Sequence, residues 1–161
     1  MEQQELVVRR YLPSDRDAVW DLHVTALEAV GARAMDPEAR GIDADFADID
    51  GVYLQSGGEF LVGLRGDRIV AMGALKRLSS AVAEITRMRV HPGFWRRGFA
   101  EDVLRHLESV AGSRGYTELW LDTLPIQKAA QQLYLKHGFR EYGRVQVRGY
   151  QASEAILFRK G

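Results

Sequence analysis

The spacing of apolar positions along the chain changes several times, and each change predicts an element. Leu6 to Leu12 reads as a strand. Pro13-Ser14 follows, with Asp17 three residues beyond Ser14, which predicts a helix capped by Ser14 in a capping-box arrangement. Ala18, Val19, Leu22, Ala26 and Val30 form its apolar stripe, which ends at Gly31. Residues 36–50 read as a short helix and loop. Glu59 to Leu64 and Arg68 to Leu78 predict two strands joined at Gly66-Asp67 as a hairpin. Val82 to His91 is a third long strand after a Ser79-Ser80 turn. Ala100, Val103, Leu104, Leu107, Val110 and Ala111 recur at helical spacing, predicting a helix over 98–112 that stops before Gly115. Thr117 to Thr123 reads as a strand with Leu119 and Leu121 on one face. A helix over Ile126 to His137 ends at Gly138, a residue suited to a left-handed C-cap. Two strands, about Phe139–Val147 and Glu154–Arg159, complete the pattern. It is neither strict strand–helix alternation nor all strand, so it predicts an α+β (mixed α/β) domain with helices packed on a mixed sheet.

Composition narrows the chemistry. The 161 residues suit one domain, 1–161, and at 46% hydrophobic and 27% charged they can bury a core. Net charge is zero, so the overall field gives no argument for nucleic acid or membrane. There is no cysteine, which removes disulfides, zinc–thiolate sites and a cysteine nucleophile together. His23 and His106 fall on helices, and His91 and His137 in turns. No pair has metal-ligand spacing, so no metal is expected. The polar start Met1-Glu2-Gln3-Gln4-Glu5 is unlike a signal peptide, and no apolar run approaches a membrane span of about 20 residues. A cytoplasmic protein is the expectation.

The charge is uneven along the chain. Asp36 to Asp50 holds six acidic residues and one arginine, whereas Arg87 to Arg97 holds four arginines and no acid. Two readings stand: solvated surfaces, or a division of labour in which the arginines face an anionic cofactor and the acids draw a cationic substrate.

Three segments carry candidate chemistry. In Val90-His91-Pro92-Gly93-Phe94-Trp95-Arg96-Arg97-Gly98-Phe99-Ala100 a strand passes through a glycine-containing turn into a helix. Free backbone N–H groups and the helix dipole make such a junction an anion site, although a tight connection is the alternative. It is neither a Walker loop nor a G-x-G-x-x-G fingerprint. On the later helix, Ile126, Ala129, Ala130, Leu133 and Tyr134 share a face by spacing. Tyr134 carries the one titratable group there, either as a core tyrosine or as a catalytic one. In the strand Ala83-Glu84-Ile85-Thr86-Arg87-Met88-Arg89-Val90, alternation puts Val82, Glu84, Thr86, Met88 and Val90 on one face. Glu84 is then either a surface carboxylate or a buried one with a raised pKa, fit to act as a base.

In joint order and spacing these segments, spanning roughly Glu84 to Phe139, resemble the GNAT superfamily of acyl-CoA-dependent N-acyltransferases. Weaker agreement runs from Phe60 to Gly73, and the first 55 residues match only in layout. The resemblance implies a central, mostly antiparallel sheet of six to seven strands flanked by helices and splayed between the fourth and fifth strands. It implies acetyl-CoA as cosubstrate, its pyrophosphate on the N–H groups of Arg96, Arg97, Gly98, Phe99 and Ala100, with Gly98 letting the chain approach closely. Met88 and Val90 would pair through their backbones with the pantetheine arm, and the backbone near Met88 would polarise the thioester carbonyl. Gln127 falls where the family often has Asn and would bond the CoA arm. Tyr134 falls where the family often has the acid that protonates the departing thiolate. Glu84 falls where many members carry the base. Trp95 departs from the pattern, since that loop position is usually Gln or Arg.

The implied reaction is direct attack of a deprotonated primary amine on acetyl-CoA within a ternary complex. A non-catalytic acyl-CoA-binding regulatory domain is the alternative. A nucleic-acid module built on the arginines fits a neutral chain poorly. The acceptor is expected to be a primary amine of a small molecule or peptide, and the Asp36–Asp50 acids hint at a cationic one such as a polyamine, aminoglycoside, free amino acid or peptide amine. Dimers are frequent in the family, so a homodimer is a further expectation.

Overall fold

The computed structural model describes residues 5–32, 41–146 and 154–161. Seven strands form one sheet: β1 (Val7–Arg10), β2 (Glu59–Arg65), β3 (Arg68–Arg77), β4 (Val82–Val90), β5 (Glu118–Thr123), β6 (Arg140–Gln146) and β7 (Glu154–Lys160). Their order is β1-β2-β3-β4-β5-β7-β6, antiparallel throughout except for the parallel pair β4–β5. The helices are α1 (Arg16–Ala29), the single turn α2 (Ile49–Val52), α3 (Phe99–Ser113) and α4 (Lys128–Lys136). The α+β class, the strand count and the splay after the fourth strand agree with the sequence reading.

Helices cover both faces of the sheet. On one face Val103, Leu104 and Leu107 of α3 lie fully buried against Val70, Leu75, Ala83 and Ile85. Gly73 of β3 faces this helix. A Cβ there would sit 2.6 Å from the Met88 sulfur and 2.7 Å from Val103 Cγ1, so glycine lets α3 seat close on the sheet. On the other face Val19 and Leu22 of α1, with Phe46, Ile49 and Tyr53, pack on Phe60, Val62, Met72 and Ala74.

The first helix differs from the expectation in two ways. It begins at Arg16 after a 3-10 turn over Pro13–Asp15, so Ser14 is not its cap. Asp15 organises the turn instead: its carboxylate accepts from the Leu12 N–H at 2.8 Å and from Arg9 at 2.7 and 3.0 Å. The buried stripe is Val19, Leu22, His23, Ala26 and Leu27, with Ala18 exposed and Val30 half-buried. The shift follows from where the helix starts, because moving the stripe by one residue turns a face by about 100°. On α4, likewise, Tyr134 is buried and Ala130 and Leu133 are half-buried, while Ile126 and Ala129 are exposed.

Candidate active site

β4 and β5 stay paired only where Val82, Ala83 and Glu84 meet Glu118, Leu119 and Trp120. Beyond Glu84 they diverge, and the gap is a cleft of about 540 Å³. β4, β5, α4, Tyr53 and the segment Gly41–Asp45 line it. Because the ladder stops, the β4 edge beyond Glu84 keeps unpaired N–H and C=O groups facing the cleft. His91 N–H donates to Val70 O across β3 at 2.8 Å, so the peptide groups of Val90, one residue earlier, point the other way.

A bulge decides which β4 side chains reach the cleft. Thr86 pairs with Ala74 but Arg89 pairs with Met72, so β4 carries one extra residue there. Arg87 takes the strain, with φ of +57°. Simple alternation fails as a result. Glu84 lies on the α1 side of the sheet, whereas Met88, beyond the bulge, turns to the α3 side and packs with Ala83 and Ile85.

Arg87 does not face the cofactor loop. Its Nε and Nη2 donate to the two Asp45 oxygens at 2.9 and 2.6 Å, Nη1 donates to Asp43 at 3.0 Å and Nη2 to Ile42 O at 2.6 Å. The guanidinium also lies 4.9 Å from the Phe46 ring centroid. Asp43, completely buried, is 3.0 Å from His23 Nε2, and Tyr53 donates to Asp45 at 2.5 Å. Asp48 accepts from Gly51 N–H at the start of α2. Of the acidic run, residues 36–40 lie outside the described residues; among the described acids Asp43 and Asp45 are spent on Arg87 and Asp48 on a helix cap, so charges apart in the sequence form an ion-pair cluster in space. Burial pushes the His23 pKa down to about 4 against the pull of Asp43, so the ring is neutral at physiological pH.

Glu84 and Asp122 both line the cleft. Asp122 lies two residues beyond Trp120, the neighbour of Glu84, so the two carboxylates share a sheet face. Desolvation raises the Glu84 pKa first and the Asp122 charge raises it further, with Lys76 and Arg87 opposing. Asp122 is also raised by desolvation, against Arg87 and Arg89. It is open to water within the cleft, but protein crowds it on most sides. The sequence reading singled out Glu84 and passed over Asp122, since only the parallel β4–β5 register brings them together.

Tyr134 enters from α4. Its ring packs on Phe139 and Phe158, with centroids 5.9 and 6.3 Å away, and the residue lines the cleft. Desolvation pushes its pKa up to about 12, so it keeps its proton. Gln127, the N-cap residue of α4, lines the same cleft. Its Oε1 is occupied by Thr123 Oγ1 and Leu124 N–H at 3.0 and 3.1 Å, which leaves the amide Nε2 as the end able to donate to a ligand.

The loop before α3 has the backbone of an anion cradle. Arg96 and Gly98 both have positive φ, +62° and +80°, on either side of Arg97, and Gly98 is the N-cap of α3. Alternating hands of this kind turn successive N–H groups toward one point, and the first N–H groups of a helix have no intrahelical partner. The N–H groups that the sequence reading names, from Arg96 to Ala100, belong to this turn and the start of α3. Phe99 contributes its peptide only, because its ring is buried in the core. A Cβ on Gly98 would meet no protein atom within 4 Å, so within the protein it is the positive φ that favours glycine here. Trp95 has a different part. Its indole Nε1 donates to Val90 O at 2.9 Å, tying the loop to the end of β4, and Arg89 Nη1 donates to Met88 O at 2.8 Å. Each carbonyl keeps a second lone pair for a ligand running along the strand.

A mixed sheet splayed at a parallel pair, with a helix N-terminus beside the splay, defines a GNAT-type fold. The chain belongs to the acetyltransferase (GNAT) family, whose model matches residues 17–139. It is 41% identical over 78 residues to the uncharacterized N-acetyltransferase YedL of Escherichia coli (strain K12), covering 47% of this chain and 49% of that one. The chain spans about half the length of several curated relatives that it matches. In structure it is similar to a GNAT-family acetyltransferase of Staphylococcus aureus MU50, with a TM-score of 0.84 at 19% identity over 97% of this chain and 98% of that one. It is also similar to yncA, a putative acetyltransferase of Salmonella typhimurium solved with its cofactor acetyl-CoA. There the TM-score is 0.78 at 16% identity, over 97% of this chain and 93% of that one.

Proposed function

We propose that this protein transfers the acetyl group of acetyl-CoA to a primary amine by direct attack in a ternary complex. The observation that carries the reading is convergence: Glu84, Asp122 and Tyr134 meet in the cleft where β4 leaves β5. Acetyl-CoA supplies an activated thioester. The N–H groups from Arg96 to Ala100 hold the pyrophosphate, and the open β4 edge at Met88 and Val90 aligns the arm, with Gln127 donating from the opposite wall. The fit rests on the paired positive-φ residues and the free strand edge in this chain.

The acceptor arrives as an ammonium. Glu84, with its pKa raised by burial and by Asp122, takes a proton from it, directly or through water. The freed amine attacks the carbonyl carbon, whose developing oxyanion meets the backbone near Met88. As the carbon–sulfur bond breaks, the Tyr134 hydroxyl gives its proton to the thiolate, and the tyrosinate takes up the second proton that the attacking nitrogen sheds, directly or through water. A domain that only bound CoA would have no use for this convergence. No helix of the described residues is long and apolar enough to cross a membrane.

The test is a broad screen of amines with acetyl-CoA, read as free thiol release and as mass gain on the amine. Acetylated product from at least one primary amine is expected. Tight CoA binding without transfer to any amine would overturn the reading.

A further inference from the structure

One row of side chains runs across the sheet on the face shared by Glu84 and Asp122. Lys76 pairs with Glu84, Glu84 with Trp120, and Trp120 with Arg159 of β7. Residues in register share a face, and the strands lie about 4.8 Å apart, so Arg159 stands roughly 10 Å from Glu84 between Cα positions. Glu84 at one end of this row lines the cleft, as does Ala155, four residues before Arg159 on the same side of β7.

Arg159 is held in an unusual way. Its guanidinium lies 4.0 Å from the Trp120 ring centroid and 3.9 Å from that of Tyr142. Tyr142 is the extra residue of a bulge in β6, where Glu141 pairs with Phe158 and Gly143 with Leu157. The two ring centroids are 6.4 Å apart and the rings are tilted by 52°, so the guanidinium sits in the angle between them and is held by both. Its Nε is buried and has no hydrogen-bond partner among the described residues. The nearest carboxylate, Glu118, stands 4.0 Å from Nε and accepts instead from the Trp120 indole at 2.7 Å. The side chain is 42% exposed, so its terminal nitrogens, and not the buried Nε, are the donors that can grip a planar anion with two parallel hydrogen bonds.

We propose that the acceptor is an amine that also carries a carboxylate, an amino acid or short peptide, with its amine at Glu84 and Asp122 and its carboxylate on Arg159. The assignment rests on the transferase reading above and names its acceptor class. It narrows the acceptor classes named from the sequence, and places the ammonium at Glu84 and Asp122 instead of at Asp43 and Asp45, which are committed to Arg87. Acceptor charge is then read across the sheet: acids at the splay take the ammonium, and the stacked arginine takes the acid.

The experiment compares acceptors in pairs, each L-amino acid or dipeptide against the same molecule lacking its carboxylate. Thiol release gives kcat and KM, and calorimetric titration of the acceptor into the CoA-bound protein gives binding without turnover. The wild-type protein is expected to prefer the carboxylate member by about 10- to 100-fold in kcat/KM, the range of a hydrogen bond to a charged group. Arg159→Gln should erase that preference through KM, leave kcat/KM for the decarboxylated amines unchanged, and keep the thermal midpoint within a few degrees. Arg159→Lys should restore part of it. Equal use of both members by the wild-type protein would overturn the proposal, as would an equal loss on both members in Arg159→Gln. So would a selective loss in Lys76→Gln with none in Arg159→Gln. Carboxylate-dependent, Arg159-dependent binding without transfer would support the site and count against the transferase reading. Transfer indifferent to the carboxylate would do the reverse.

Discussion

Arg87 and Asp45 form a two-pronged pair, at 2.9 and 2.6 Å, between a left-handed bulge in β4 and the segment that walls the cleft. Both side chains are largely buried. A non-glycine residue at φ of +57° persists only where its surroundings hold it, and here the grip of Asp43, Asp45 and Ile42 does so. The pair ties the geometry of β4 to the segment that walls the cleft.

Removing one partner of a buried pair leaves the other charge without compensation. Arg87→Ala is expected to cost about 3–5 kcal/mol in urea unfolding. Arg87→Lys keeps the charge but loses the fork. It should therefore fold with a smaller loss and raise KM for the acceptor more than the dissociation constant of acetyl-CoA. An Arg87→Lys protein with both constants unchanged would show that the wall is set elsewhere.

Tyr134→Phe keeps the ring against Phe139 and Phe158 and removes only the hydroxyl. Turnover should fall by about 100-fold or more, the usual worth of a placed acid, while acetyl-CoA affinity stays level. Unchanged turnover would take Tyr134 out of the proton path.

In the proposed mechanism the carboxylate pair sets the acid side of the pH–rate profile: Glu84 acts once it has lost its proton, and burial and then the Asp122 charge raise its pKa. Activity should rise with pH through that raised value. Asp122→Asn removes the repulsion, so the rise should move to lower pH, whereas Glu84→Gln should abolish it. A profile that Asp122→Asn leaves in place would mean that the two groups titrate independently.

His23 sets a limit on acid stability. Its folded pKa, near 4, lies below the ordinary value of 6.5, so below pH 6.5 the unfolded chain binds a proton that the folded chain does not. The stability it confers is complete above pH 6.5 and is lost as pH falls toward 4, by about 3 kcal/mol at one pKa unit per 1.36 kcal/mol. Urea unfolding of the wild-type protein and of His23→Gln at several pH values should show a shallower decline in the variant.

Much of this protein was determined along the sequence itself. The period of apolar residues placed every long element, because helix and strand faces repeat locally and α3 keeps its stripe whatever packs against it. The glycine–helix junction at Gly98 was legible for the same reason, since its backbone hand and free N–H groups belong to a few consecutive residues. Tertiary structure decided what depends on register between distant strands. A single extra residue in β4 separated Met88 from the face of Glu84, and strand alternation cannot anticipate a bulge. The parallel β4–β5 pairing put Asp122 beside Glu84, and the β5–β7 pairing put Arg159 against Trp120. Arg87 and the acids of residues 43–45, which stand apart as opposite charge blocks in the chain, met only on folding, where burial made a mutual pair less costly than two desolvated charges.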